Sequence, residues 1–410
     1  MNKKGFISMT LVYTFLILFL FLMLSVMHAY SEKNKFLDTI DDKIDLRLTT
    51  PTNYGITILQ ALLNKYEAEE SGIIDYSKNS EGSYYSNGSL VQNISATSNG
   101  FYFTQVVEDE DNNKIHMTED DKTLYFFRGV AEQNYIEFAN YCWRIFRTNE
   151  NEGARLVLYG NYSEGSGCTL NESILPQAAY NLVSNNNAYV GYMYGSNSTD
   201  YNITHANINN SSIKSALDTW YENKLLDTKY EKYIDDNIFC NDREIGKGGS
   251  FNGLTYYMNG TGTSNTIYQS FRRNATGGKE GTSISMSSAY PVFVCSKQED
   301  KFTKSNTKGN TKLTYPIGTL TADELVISGT SFKIGNSSFF LNYGLNIWTM
   351  TPSTFTSGVA RAISMQLTGE LVEAPVTSIY YVLPVISLKN TTLISAGDGT
   401  KINPFRVKVS

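Results

Sequence analysis

The sequence predicts an α+β protein: an N-terminal transmembrane and amphipathic helix, then a head of short strands, few helices and long loops. Three observations carry this. A 24-residue run without a charged side chain extends from Phe6 to Ala29. Strand-like runs rich in aromatic and β-branched residues begin at Phe101. Only 18% of the residues are charged, while Tyr occurs 29 times among abundant Asn, Ser, Thr and Gly. That mixture gives a neutral, hydrogen-bonding exterior and favours β-structure.

The apolar run over 6–29 is about 36 Å long as a helix, enough to cross a hydrocarbon core of about 30 Å. It is longer than the apolar region of a cleaved secretory signal, and His28-Ala29-Tyr30-Ser31-Glu32 makes a poor cleavage site. Retention is therefore expected. Lys3 and Lys4 precede the run, which places the N-terminus in the cytoplasm and the bulk of the chain outside, a single-pass arrangement in the lipid bilayer. Beyond it, Leu37, Ile40, Ile44 and Leu48 form a helical stripe that Pro51 interrupts. A second helical pattern runs from Ile56 to Glu70. Residues 30–70 thus read as a helical stalk, serving either to pack on sibling helices or to cover its own domain. Residues 71–100, rich in Gly, Ser, Asn and Tyr, read as a linker. The head is expected over 101–410.

Within the head, strands are expected at Phe101–Val107, Thr123–Phe127, Tyr141–Arg147, Arg155–Tyr159 and Tyr380–Leu388, the last with Pro384 forcing an edge or a bulge. Helices are expected over Ser212–Leu226 and from Thr321, where Thr321 can cap and Asp323 and Glu324 suit a helix N-terminus.

The four cysteines, Cys142, Cys168, Cys240 and Cys295, lack the close spacing of a zinc or redox motif. An even number beyond an export segment suggests two disulfides. Nearest-neighbour pairing, Cys142 with Cys168 and Cys240 with Cys295, is the expectation among three connectivities; four buried free thiols are the other reading.

Catalytic chemistry finds little to use. The only histidines are His28, His116 and His205, and none sits in a motif with a serine or cysteine partner. No local pair of carboxylates is nominated for glycoside hydrolysis. No cofactor is expected. The net charge of −6 with no basic excess argues against nucleic acid as a partner. Asp109, Asp111, Asn113 and Asp120 offer oxygen ligands at calcium-loop spacing, yet Lys114 stands where the turn glycine belongs. An acidic hairpin in water is the competing reading. Tyr189, Tyr192, Tyr194 and Tyr201 lie in an Asn- and Gly-rich tract. They suit a contact surface, but packing against the head is the favoured reading.

Two resemblances add to this. Lys3-Lys4-Gly5-Phe6 followed by the apolar run resembles the leader of type IV pilins and pseudopilins. The likeness implies cleavage between Gly5 and Phe6 by a prepilin peptidase (a leader of residues 1–5) and association with other pilin-like subunits. Thr10 occupies the fifth mature position, where pilins carry Glu, so processing is better supported than bulk polymerisation. Further along stand Asn140-Tyr-Cys-Trp-Arg-Ile145, Gly191-Tyr-Met-Tyr-Gly195, Ser212-Ile-Lys-Ser-Ala-Leu-Asp-Thr-Trp-Tyr221, Phe239-Cys-Asn-Asp-Arg243, Leu313-Thr-Tyr-Pro-Ile-Gly318, Thr321-Ala-Asp-Glu-Leu325 and Gly397-Asp-Gly-Thr400. In this order they resemble a family of bacterial exported domains of undefined function, common in Firmicutes. Its C-terminal part is similar to the formylglycine-generating-enzyme branch of the C-type-lectin-like fold. Ile347-Trp-Thr-Met-Thr-Pro-Ser353 and Val382-Leu-Pro-Val385 match that branch, with Leu383 where Arg is expected. The branch's activity needs a cysteine pair near its C-terminal site, but the last cysteine here is Cys295. The resemblance therefore implies fold rather than enzyme activity.

The resulting expectation is a pilin-like, membrane-anchored surface protein whose extracellular, non-catalytic head binds an unknown ligand, in adhesion or at a filament tip. The alternatives are a plain signal-anchored exported protein and an exported enzyme acting on glycan or cell wall.

Overall fold

A computed structural model describes residues 55–409, apart from 87–88, 105–106, 109–113, 116, 247–248, 252–253, 258 and 276–290. The processing residues Gly5 and Phe6, the expected span over 6–29 and the stalk up to residue 54 lie outside the described residues. Among those described, no helix is long and apolar enough to cross a membrane. The head is strand-rich α+β with few helices, organised around two large sheets of twelve and seven described strands.

The first sheet is built on Tyr141–Thr148, which runs antiparallel to Tyr135–Phe138 on one side and to Ala154–Ser163 on the other. Ala139 and Asn140 connect the first pair with φ of 57° and 64°. Two successive left-handed residues make a turn whose twist matches that of the strands. Beyond Tyr135–Phe138 come Phe405–Val407, in parallel, then Leu393–Ala396 and finally Ile56–Thr57. Beyond Ala154–Ser163 come Val385–Leu388 and Ile234–Asp235. In the second sheet Ile347–Thr356, Val359–Met365 and Glu370–Pro375 form an antiparallel meander. The first two are joined by Ser357 and Gly358, again both at positive φ, 51° and 76°. A Cβ at Gly358 would meet nothing within 4 Å. Gly358→Ala therefore adds only the strain of a left-handed alanine and is expected to lower stability by about 1 kcal/mol, measured by denaturant unfolding.

The expected strand over Tyr380–Leu388 is split into Ile379–Tyr381 and Val385–Leu388, one in each sheet. Pro384 lies in the break: it has no N–H to donate, while its carbonyl accepts from Leu158 N at 2.9 Å. The strands expected at Phe101–Val107 and Thr123–Phe127 form over Gly100–Phe103 and Tyr125–Arg128.

The division of the N-terminal part differs from the sequence reading. The compact unit begins at Gly55, inside the expected stalk, and includes the expected linker over 71–100. The helical pattern over Ile56–Glu70 yields one short helix, Ile58–Leu63, closed by a capping box between Thr57 and Gln60. Ile58, Ala61 and Leu62 enter the main core, so burial rather than helical length decides where this segment belongs. Glu69–Glu70 pairs with Gly100–Phe103, which holds the expected linker between two ladder strands.

Helix Ser212–Lys224 starts at its cap, Ser211, and buries Ile213, Leu217, Trp220 and Tyr221 on one face. Helix Ala322–Ser328 starts at a reciprocal cap: Glu324 N donates to Thr321 Oγ1 at 3.1 Å and Thr321 N donates to Glu324 Oε2 at 2.9 Å. All three tryptophans are core residues with their indole N–H bonded to a backbone carbonyl: Trp143 to Phe138, Trp220 to Ile174 and Trp348 to Ala178. Two disulfides, Cys142–Cys168 and Cys240–Cys295, each span 5.6 Å between Cα atoms.

Candidate functional site: an aromatic cleft over a buried arginine

An open cleft of about 300 Å³ lies between the first sheet and the loop carrying Phe339, Phe340 and Tyr343. Its floor is Arg144, directly opposite Tyr135 in the ladder. The strand's alternation sets the placement. Trp143 and Ile145 enter the main core, whereas Cys142 joins Tyr135, Tyr159 and Cys168 in a separate cluster on which Tyr343 packs. Tyr159 reaches this cluster through a bulge: Cys142 pairs with Gly160 and Trp143 with Leu158, leaving Tyr159 as the extra residue. The Cys142–Cys168 bridge links Tyr141–Thr148 to Gly167–Leu170, the two strands that flank the bulged one.

Arg144 is only 4% exposed. Its Nε donates to Asn134 Oδ1 at 2.6 Å, Nη1 to the Tyr135 hydroxyl at 2.8 Å and Nη2 to the Ala131 carbonyl. Its guanidinium carbon lies 4.0 Å from the centre of the Tyr135 ring and 5.2 Å from that of Phe340. Among the described residues no carboxylate ion-pairs with it. Burial pulls its pKa below the usual guanidinium range, an effect opposed by the tyrosines around it. A guanidinium nonetheless stays protonated. Tyr135 and Tyr343 are both pushed up by burial, Tyr135 to about 12, so both phenols are neutral at physiological pH. The Tyr343 hydroxyl is buried and has no hydrogen-bond partner. Tyr159 packs edge-on against both rings, at 5.2 Å from Tyr135 and 5.2 Å from Tyr343.

A second charged cluster surrounds a cavity of about 30 Å³, room for one or two waters. Arg147 Nε donates to Glu324 Oε1 at 3.0 Å, and Arg155 Nε lies 3.2 Å from the same oxygen as an ion-pair contact without hydrogen-bond alignment. Arg273 bridges Asp242, at 2.7 Å, and Asp323, at 2.7 and 3.1 Å. The Cys240–Cys295 bridge closes one side. Burial pulls Arg155 down to about 10 against the pull of Glu324. Burial would raise the Glu324 carboxyl, but Arg155, Arg147 and the Thr321 N–H outweigh it and hold it below 4.5. Each of these three carboxylates is held by at least one arginine, the pattern of a structural knot that ties helix Ala322–Ser328 to the first sheet.

The other sequence candidates fall elsewhere. Asp109, Asp111 and Asn113 lie outside the described residues. Asp120 is exposed and pairs with Lys308 at 2.6 Å, and no group of three metal-ligating side chains occurs among the described residues. Tyr192 is fully buried, Tyr189 and Tyr194 pack edge-on at 5.3 Å, and Tyr201 lies 4.4 Å from His205. That tract packs into the head. His205 is buried with Nε2 at 3.0 Å from the Gly260 carbonyl, which can only accept, so Nε2 carries the proton. Burial and the nearby Arg243 hold its pKa well below 6.5.

Sequence reasoning placed Arg144 in a strand but did not assign it to a site. A signal was present: an arginine within Tyr-Cys-Trp-Arg-Ile-Phe, alternating with the core residues Trp143 and Ile145, must face the other side of the sheet. The aromatic loop that makes that side a cleft is nearly 200 residues away, and no local pattern connects the two.

Fold and cleft define the described residues as a strand-rich α+β head with an open aromatic cleft. No family model, curated protein or solved structure matches the chain.

Proposed function

We propose that this is an exported, membrane-tethered surface protein whose head is a non-catalytic binding module, carried on a pilin-type N-terminal helix. The observation that carries the reading is the pair of disulfides in a domain that follows Lys3, Lys4 and a 24-residue uncharged run. Disulfides of this kind persist in oxidising compartments outside the cytosol. The open aromatic cleft supports binding as the head's task. The quoted segments support a C-type-lectin-like arrangement for the head and, through Gly5-Phe6, processing by a prepilin peptidase and contact with pilin-like subunits.

The test is N-terminal sequencing of the protein from its own membranes, together with protease treatment of intact cells. The expected result is a chain beginning at Phe6 with its head digested from outside. A chain beginning at Met1 with an exposed head reduces the reading to a plain signal anchor. A head protected in intact cells overturns surface display altogether.

A further inference from the structure

We propose that the cleft over Arg144 binds a small organic carboxylate with a ring-sized, hydroxylated body, such as a uronic acid. The inference rests on the reading of the head as a binding module and gives that module its ligand chemistry.

Arg144 donates three hydrogen bonds, one from each nitrogen, so each terminal nitrogen keeps one further N–H. Two parallel N–H groups on a planar fork match the two oxygens of a carboxylate. The arginine carries a positive charge in a site where no carboxylate among the described residues neutralises it. A buried charge without a counter-ion is costly, and a bound anion would relieve that cost. Tyr343 adds a buried hydroxyl without a partner, within electrostatic reach of Arg144. The walls are the rings of Tyr135, Tyr159, Phe340 and Tyr343, which offer faces and edges to a ring-shaped body. A volume of about 300 Å³ lies at the small end of ligand sites, which limits the occupant to about one ring.

The polar lining residues bear on the orientation. Ser338 in the lining donates to Glu81, so its surroundings are already acidic and suit hydroxyls rather than a second negative charge. The ligand's charge is thereby directed to Arg144, and its neutral polar groups to Ser337, Ser338 and Asn342.

The experiment is a calorimetric titration of the full-length chain in detergent with sodium D-glucuronate, D-glucose and sodium acetate. Saturable binding of glucuronate is expected, with glucose and acetate each weaker by about tenfold or more, since one lacks the charge and the other the body. Val130 lines the mouth and is 47% exposed, so Val130→Glu leaves the core untouched. It places a competing carboxylate beside Arg144 and is expected to weaken glucuronate binding about tenfold. Tyr343→Phe removes only the unpartnered hydroxyl and is expected to weaken it severalfold. Thermal unfolding of both variants serves as the folding control. Absence of saturable glucuronate binding overturns the proposal. So does equal binding of glucose, or affinity unchanged in both folded variants. Protease exposure of the head on intact cells reports separately on surface display, so an exposed head that ignores glucuronate removes this inference alone.

Discussion

Glu324→Gln is expected to lower the unfolding free energy by about 3–5 kcal/mol, the usual cost of leaving a buried charge without its partner. The substitution isolates that charge. Glutamine can still accept from the Thr321 N–H and so keeps the capping box. What disappears is the negative end of a contact shared by Arg147 and Arg155, at 3.0 and 3.2 Å, with side chains that are almost completely buried. The pH dependence provides an internal check. The folded Glu324 carboxyl titrates below its ordinary 4.5, so its contribution is fully present above pH 4.5 and is lost as pH falls through the folded value. Denaturant melts should therefore show wild type converging on the variant in acid. His205 acts in a different window. Its folded pKa lies below 6.5, so the unfolded chain takes up a proton first and stability declines from pH 6.5 downward in both proteins. A variant as stable as wild type at neutral pH would show that the two arginines are compensated elsewhere.

Removing the Cys142–Cys168 bridge by a double serine substitution is expected to cost about 3–4 kcal/mol, from the closure of a loop between residues 26 apart. The bridge lies within the Tyr135, Tyr159 and Tyr343 cluster, so its loss acts on the cleft as well as on stability. Chemical denaturation with and without the bridge gives the first effect. Glucuronate titration of the folded fraction gives the second, expected as weaker binding because Tyr135 and Tyr159 lose the bridge they pack with. The serine pair unfolding at the same denaturant concentration as wild type would count against both.

The elements most legible in the sequence were those with local punctuation. Helix Ser212–Lys224 announced itself through the spacing of Ile213, Leu217, Trp220 and Tyr221, and helix Ala322–Ser328 through Thr321 and Glu324. Tyr141–Thr148 was visible as a β-rich run. Pro384 marked a real interruption, but its outcome, one segment serving two sheets, depends on partners distant in the chain. The N-terminal boundary was misplaced because periodicity reports a helical face and not what covers it. Ile58 and Leu62 find their cover in the head's own core. The cleft was illegible for a related reason. Arg144 and Tyr343 line one cleft although they lie far apart in the chain, and Tyr159 packs on Tyr343 from a bulge; neither pairing leaves a local mark.

The first described strand has a mechanical consequence. Ile56–Thr57 is held by Leu393–Ile394, and Leu393–Ala396 is in turn held by Phe405–Val407. A pull applied at Gly55 therefore passes straight into the last twenty residues of the chain before it reaches the middle of the first sheet. The C-terminal strands are thus the rivet that a load on this end meets first. The cleft is coupled to that rivet: Tyr135 N donates to the Gly399 carbonyl at 2.9 Å, and Phe405–Val407 pairs directly with the strand that carries Tyr135.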